Sequence, residues 1–356
     1  MIALFGWSDA LQASFAPYTA QGFAPARVVA HHRALWRLVT EQGEIAGRMS
    51  GRFALDAAPG EHPVVGDWLA VSATPDGEAV IHALLPRKSV FSRRAAGGEG
   101  VQIVASNVDV AFLVAALNDD LNLRRLERYL VAARDSGAKP VIVLTKADLS
   151  AALEDDVASV AAIAGDAPVV ALSALKGEGL SALDPWLTPG MTAALLGSSG
   201  AGKSTLLNAL AGDVLMDTGA IRESDARGRH TTTHRELFRL PGGAMLIDTP
   251  GMRELGLLGV DEALDASFED VTALFPACRF GDCTHVNEPG CAVLAALADK
   301  SLSDDRWRAY QKLQRELDFA ATKEDPRAMA AKRSRWKQIH KNQRAKYKHQ
   351  SRNEES

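Results

Sequence analysis

A chain of 356 residues that is 47% hydrophobic and 24% charged has room for two or three domains, each with a buried core. No run of eighteen apolar residues occurs, and the opening MIALFGWSDALQASF has an early Asp and no basic region ahead of an apolar stretch, so neither a membrane span nor a secretory leader is expected. The reading is of a soluble, cytoplasmic protein. The net charge of −4 hides an asymmetry: residues 326–352 hold ten Lys/Arg and no Asp/Glu, so the rest of the chain carries −14. An acidic body with a basic C-terminal arm suits a polyanionic partner such as nucleic acid, and a merely solvated helix or tail has the same composition.

After an opening segment, residues 1–95 offer short strand-like runs at 27–30, 34–39, 44–49, 67–71 and 79–85, separated by turn signals. Five short strands fit a small β-barrel; the OB-fold is one form, and other small barrels fit nearly as well. From Val108 the rhythm changes. Runs at 108–117, 140–144, 168–172, 191–196 and 244–247 are apolar throughout, as strands buried in a parallel sheet are. Leu123, Leu126, Tyr129, Leu130 and Ala133 share one face of an intervening helix that Gly137 should stop. Residues 96–260 are therefore expected to form an α/β domain with a mostly parallel sheet. Beyond Asp261 the strand pattern ends, and helix-like stretches at 304–319 and 328–348 flank a Cys/His segment, which makes residues 261–356 an α-helical unit ending in the basic arm.

Gly197-Ser198-Ser199-Gly200-Ala201-Gly202-Lys203-Ser204 satisfies the P-loop pattern, follows an apolar strand and precedes the helical run that opens at Thr205. Its glycines permit a nest of backbone N–H groups around phosphate oxygens, with the helix N-terminus adding positive potential. Lys203 would reach the β- and γ-phosphates, and the Ser204 hydroxyl would coordinate Mg²⁺. Asp248-Thr249-Pro250-Gly251, at the end of a later strand, adds a carboxylate that can hold Mg²⁺ through water and a Gly251 N–H that can face the γ-phosphate.

Base selection falls to Thr145-Lys146-Ala147-Asp148. A carboxylate accepts two N–H bonds from guanine and finds no such pair on adenine, so Asp148 selects GTP over ATP, while the Lys146 stem packs across the purine. Ser173-Ala174-Leu175, just past another strand, closes the base pocket with a backbone N–H. A P-loop kinase or ATPase is disfavoured by this motif. The base loop precedes the P-loop in the chain, the reverse of the usual GTPase order. A binding site is defined by where loops lie in space, so moving the chain ends to another surface leaves it intact, and the domain reads as a circularly permuted G domain.

All three cysteines fall in one run with a histidine: Cys278, Cys283, His285 and Cys291. In a cytoplasmic chain a disulfide is not expected, and three thiolates with one imidazole supply a closed four-coordinate structural Zn²⁺ site.

Permuted motif order, an N-terminal small barrel and a C-terminal Cys/His unit together resemble the RsgA (YjeQ) family, the ribosome small-subunit-dependent GTPases, over nearly the whole chain. The resemblance implies an OB-fold for the first domain, GTP hydrolysis to GDP stimulated by the 30S subunit, and a role in late maturation of that subunit through its 16S rRNA. A monomer is expected. Two departures stand out. Thr145 replaces the usual Asn of the base motif, which puts a contact to the purine or the P-loop in question. Met252 follows the DxxG glycine, where many GTPases place a water-orienting Gln.

The alternative water-activating residue is His230, within Gly228-Arg229-His230-Thr231-Thr232-Thr233, where the first switch must lie. A loop histidine is as often only solvent-exposed. Thr232 or a neighbouring threonine would bind Mg²⁺, and the sequence does not choose among them. The barrel, the Cys/His unit and an arm carrying Trp336, His340, Tyr347 and His349 suit RNA, with aromatics stacking on bases and Lys/Arg meeting phosphates. A factor that binds RNA and uses GTP only as a conformational ligand would show the same features.

Overall fold

The computed structural model describes residues 1–32, 35–58, 60–73, 77–94, 101–118, 121–215, 236–248 and 261–324. Helix α1 (Asp9–Thr19) opens the chain after a 3₁₀ turn and is capped by Ser8, whose hydroxyl accepts from the Leu11 N–H at 3.4 Å. Strands β1 (Ala24–His32), β2 (Leu35–Val39) and β3 (Glu44–Met49), helix α2 (Gly51–Asp56), and strands β4 (Trp68–Ala73) and β5 (Ala79–Leu84) follow. All neighbouring pairs are antiparallel except β3–β5, and β1 also pairs with β4, so the five strands close on themselves in the order β1-β2-β3-β5-β4. Closure leaves no edge within the ring, and Val28, Leu38, Leu69 and Ile81 fill it. The five predicted strands are these five.

An antiparallel pair, β6 (Val90–Arg94) and β7 (Val101–Ser106), leads to the second unit. There β8 (Val110–Ala116), α3 (Leu123–Asp135), β9 (Lys139–Thr145), α4 (Leu153–Ala164), β10 (Val169–Ala171), β11 (Thr192–Gly197) and α5 (Lys203–Ala211) alternate, followed by β12 (Glu236–Arg239) and β13 (Met245–Asp248). The sheet runs β10-β9-β8-β11-β13-β12, parallel throughout except for β12. Strand order advances from β8 to β10 on one side and reverses to β11 on the other, which creates a topological switch point between β8 and β11. The reason the strands read as apolar is burial on both faces: β8, β9 and β11 hold Phe112, Leu113, Ile142, Val143, Leu195 and Leu196 in two cores.

Barrel and sheet are continuous. β12 pairs with β1 at Ala30 and Glu236, so the eleven strands form one hydrogen-bonded surface. A second joint is Arg27, buried on β1, which donates to the Phe5 carbonyl and, at 2.8 Å, to the Thr192 hydroxyl at the start of β11. Burial lowers its pKa to about 10, against the opposing influence of Asp109 and Asp67.

The third unit is helical: α6 (Asp261–Ser267), α7 (Glu269–Thr272), α8 (Ala292–Ala298) and α9 (Asp304–Glu324) enclose Phe268, Trp307, Tyr310, Leu313 and Leu317. It docks on α3. Arg306 of α9 donates to the buried Glu127 of α3 at 2.7 Å, forks onto Asp270 at 2.7 and 2.9 Å, and lies 4.0 Å over the Phe268 ring. Among the described residues no helix is long and apolar enough to cross a membrane.

Candidate nucleotide site and metal centre

Because β9, β10, β11 and β13 are parallel, the segments that leave their carboxyl ends emerge along one edge of the sheet. These are the loops beginning at Thr145, Leu172, Gly197 and Asp248. The P-loop is the tightest of them. A β-carbon at Gly197 would collide with the Val114 carbonyl of β8, so only glycine lets the strand end lie so close to its neighbour. Gly202 takes φ 88 as the cap of α5 and offers no side chain to the helix end, which leaves the first N–H groups of α5 for an anion. The Lys203 ammonium folds back onto the loop, donating to the Gly197 and Ser198 carbonyls at 3.0 and 2.7 Å. Ser204 and Thr205 lie in the first turn of α5, both half-buried, and Ser199 and Gly200 are exposed at the loop tip.

The base loop is tied to this P-loop by a buried bond: the Thr145 hydroxyl donates to the Ala201 carbonyl at 2.7 Å, and it lies 3.3 Å from the Ala115 carbonyl. The P-loop contact that the missing Asn put in question is thus made by threonine. Lys146 follows in the left-handed region at φ 58, and the Ala147 N–H bonds the Leu172 carbonyl at 3.1 Å, which joins the base loop to the β10 loop. Asp148 is reached from the β10 loop as well. The neighbouring Ser173 hydroxyl holds its carboxyl below the usual range, and Lys176 at 3.6 Å acts in the same direction. Ser173 is buried, Ala174 packs on the core that holds Phe112, Val143 and Leu195, and Leu175 is exposed. Asp248 ends β13 beside Leu195 of β11 and is buried. Thr145, Ala201, Asp148 and Ser173 are therefore linked into one assembly at the sheet edge. His230, Thr231, Thr232, Thr233, Gly251, Met252 and the basic arm lie outside the described residues.

In the third unit the donor atoms of Cys278, Cys283, His285 and Cys291 all lie within 4.8 Å of one another. Cys278 Sγ to Cys291 Sγ is 3.9 Å, Cys278 Sγ to His285 Nδ1 3.6 Å, and His285 Nδ1 to Cys291 Sγ 3.4 Å. A tetrahedron with metal–sulfur bonds of about 2.3 Å and a metal–nitrogen bond of about 2.0 Å has edges of roughly 3.5–3.8 Å, which the separations among Cys278, His285 and Cys291 match; the spread of up to 4.8 Å closes by about 1 Å around an ion. Partial burial lowers the His285 pKa, which favours the neutral imidazole that a metal needs. His285 stacks on Phe275 with ring centres 4.5 Å apart, which fixes the ring.

Two contributors were not legible in sequence. Glu288 sits inside the Cys/His loop and accepts N–H bonds from Thr284, Val286 and Asn287 at 2.9, 2.9 and 3.1 Å, with the Thr284 hydroxyl as a further donor. These donors, the Thr284 hydroxyl first, bring its pKa down to about 2. Lys176, which faces Asp148, is another. A carboxylate between two metal ligands was the available signal for Glu288; Lys176 had none beyond lying three residues past Ser173.

A family profile described as RsgA GTPase matches residues 84–258. The "Small ribosomal subunit biogenesis GTPase RsgA" of Opitutus terrae is 50% identical over 357 residues, covering 97% of this chain and 97% of that protein. A protein of the same name from Methanosarcina acetivorans is 42% identical, covering 94% and 90%. Among solved structures, YjeQ from Thermotoga maritima is 28% identical with a TM-score of 0.61, covering 83% of this chain and 98% of that one. A structure titled as YloQ, a circularly permuted GTPase, shares the fold at 24% identity, with a TM-score of 0.59 and coverage of 83% and 95%. Identity of this degree across barrel, nucleotide domain and Cys/His unit together leaves one conclusion: the chain belongs to the RsgA GTPase family.

Proposed function

We propose that this GTPase binds the small ribosomal subunit and acts in its late maturation, hydrolysing GTP when the subunit engages it. The single observation that supports the nucleotide half of this reading is the bond from Thr145 to Ala201, which ties the two loops to each other. The names of relatives matching nearly the full length carry the ribosomal half.

In this reading Asp148 accepts the two guanine N–H groups, held ionised by Ser173, and Lys146 lies along the purine. The backbone from Gly197 to Gly202 cradles the phosphates, and the Lys203 ammonium exchanges its two carbonyl partners for phosphate oxygens. Ser204 on α5 and Asp248 on the adjoining strand form an all-oxygen donor set suited to Mg²⁺, with Thr232 or a neighbour completing it. The ion, when bound, would offset charge on the phosphate oxygens. His230 orients the attacking water, a role that Met252 cannot take.

The barrel is read as an OB-fold, which the β1-β2-β3-β5-β4 closure with its parallel β3–β5 pair supports. The Cys/His cluster is read as structural Zn²⁺, since three thiolates and an imidazole with no open position favour that ion. Barrel, zinc unit and basic arm together contact 16S rRNA. The protein works as a cytoplasmic monomer.

Co-sedimentation with purified small subunits, comparing a non-hydrolysable GTP analogue with GDP, tests the ribosomal half. Retention with the analogue and release with GDP are expected; equal retention with both would leave no role for hydrolysis. Single-turnover phosphate release with and without subunits then separates a GTPase from a factor that uses GTP only as a conformational ligand.

A further inference from the structure

One cross-strand row runs from the barrel into the nucleotide site. Arg37 of β2 is the register partner of Ala30 on β1, Ala30 of Glu236 on β12, Glu236 of Asp248 on β13, and Asp248 of Leu195 on β11. Residues in one such row point to the same face of a sheet, with directly opposed β-carbons about 4.5–5.5 Å apart. Two consequences follow. Glu236 and Asp248 are carboxylates placed side by side, an arrangement that like-charge repulsion disfavours. Arg37, reaching across the small side chain of Ala30, forms an ion pair with Glu236. A second acid, Glu44 of β3, lies 3.5 Å from the same guanidinium and keeps it on this side of the barrel.

We infer that Arg37 of the barrel is a positioning residue for GTP hydrolysis: by engaging Glu236 it keeps that carboxylate from competing with Asp248 at the magnesium position. The inference rests on the assignment of Asp248 to Mg²⁺ given above. It makes the barrel part of the catalytic machinery through a contact 199 residues long in sequence. It also explains why the sheet is continuous at β1–β12, since a hinge there would let the guanidinium and Glu236 part. The ion pair is partly exposed, at 46% and 33%, so its influence is modest.

The test is single-turnover GTP hydrolysis by the full chain across a Mg²⁺ titration. Arg37→Ala should lower the rate about three- to fivefold and change its Mg²⁺ dependence, with GDP affinity kept within about twofold. Adding Glu236→Ala to that variant should restore the rate, because the competing carboxylate is then gone. Arg37→Lys, which keeps the charge, should retain the rate and guards against a simple folding defect. An unchanged rate in Arg37→Ala, or a loss that Glu236→Ala does not repair, would overturn the inference. Asp248→Asn separates the two claims: if it hydrolyses GTP normally, the magnesium assignment itself fails, and if it is inactive while Arg37→Ala is unaffected, only the role of Arg37 fails.

Discussion

The Thr145 hydroxyl donates a 2.7 Å hydrogen bond to the Ala201 carbonyl, so the loop after β9 that carries Asp148 and the P-loop are fastened to each other. The bond is buried: Thr145 is 1% exposed, and a β-carbon added at Gly202 would sit 3.2 Å from its hydroxyl. Thr145→Val keeps the shape and removes the donor, leaving a buried carbonyl unsatisfied at a cost of about 1–3 kcal/mol. Affinity for GDP and GTP should fall together, by roughly tenfold, as both need the two loops in register. Titration with a fluorescent GDP analogue measures this; a loss confined to GTP would mean that the bond serves the γ-phosphate instead.

Ser173 governs the charge of Asp148. Its hydroxyl, with Lys176, holds the carboxyl below the ordinary range, so the ionised form that guanine requires is present above the usual Asp pKa of about 3.9 and is lost only as pH falls below it. GDP affinity should stay level from pH 8 down to about 5. In Ser173→Ala the decline should begin at higher pH, and affinity at neutral pH should drop about fivefold with the lost bond. An acid limb that does not move in the variant would separate Ser173 from Asp148.

His230 is expected to act on water and not on binding. Its replacement by Ala should reduce subunit-stimulated hydrolysis about 10²-fold or more with GTP affinity held within about twofold. Equal turnover in the two proteins, with and without subunits, would remove the role.

On the zinc reading, the Cys/His loop depends on Glu288 as well as on its four donors. Glu288→Ala should weaken zinc affinity by about 10-fold or more, since the bonds to Thr284, Val286 and Asn287 that shape the loop are lost. Cys283→Ser should release the ion and unfold the third unit. Competition with a chromophoric chelator reads both, and one zinc per chain retained in Cys283→Ser would argue against that ligand set.

Arg306 holds the third unit to the nucleotide domain. Glu127 is 2% exposed, and losing Arg306 leaves it with Arg124 at 3.0 Å, whose side chain is 46% exposed. Arg306→Ala should therefore destabilise the chain by about 3 kcal/mol, visible as a lowered melting midpoint, whereas pairing it with Glu127→Gln should recover part of the loss.

What the sequence made legible is whatever chemistry confines to a few consecutive residues. Residues 197–204 carry the whole P-loop pattern, and Cys278–Cys291 supplies all four donors of the Cys/His cluster, so both are written locally. The same holds for the strands of the parallel sheet, whose burial on both faces leaves apolar runs. The partner of Thr145 lies 56 residues away and that of Glu127 lies 179 away, and nothing in the neighbourhood of either residue marks the pairing. Strands β6, β7 and β12 do not stand out in the sequence; β12 has only four residues, half-exposed at two of them, and carries too little periodicity. The closed order of the barrel is likewise a matter of long-range pairing, which alternation in single strands does not encode.

The central claim is that one pocket grips guanine through Asp148 and triphosphate through the loop ending at Lys203. Its most direct test is displacement of labelled GDP by GTP, ATP and XTP from the native chain and from Asp148→Asn. The native protein should prefer GTP over ATP by at least about 10²-fold, and the variant, which presents an amide donor where the carboxylate accepted, should lose GTP and gain XTP by a similar factor. Displacement by ATP as effective as by GTP, or an Asp148→Asn variant with the native order of preference, would contradict the account.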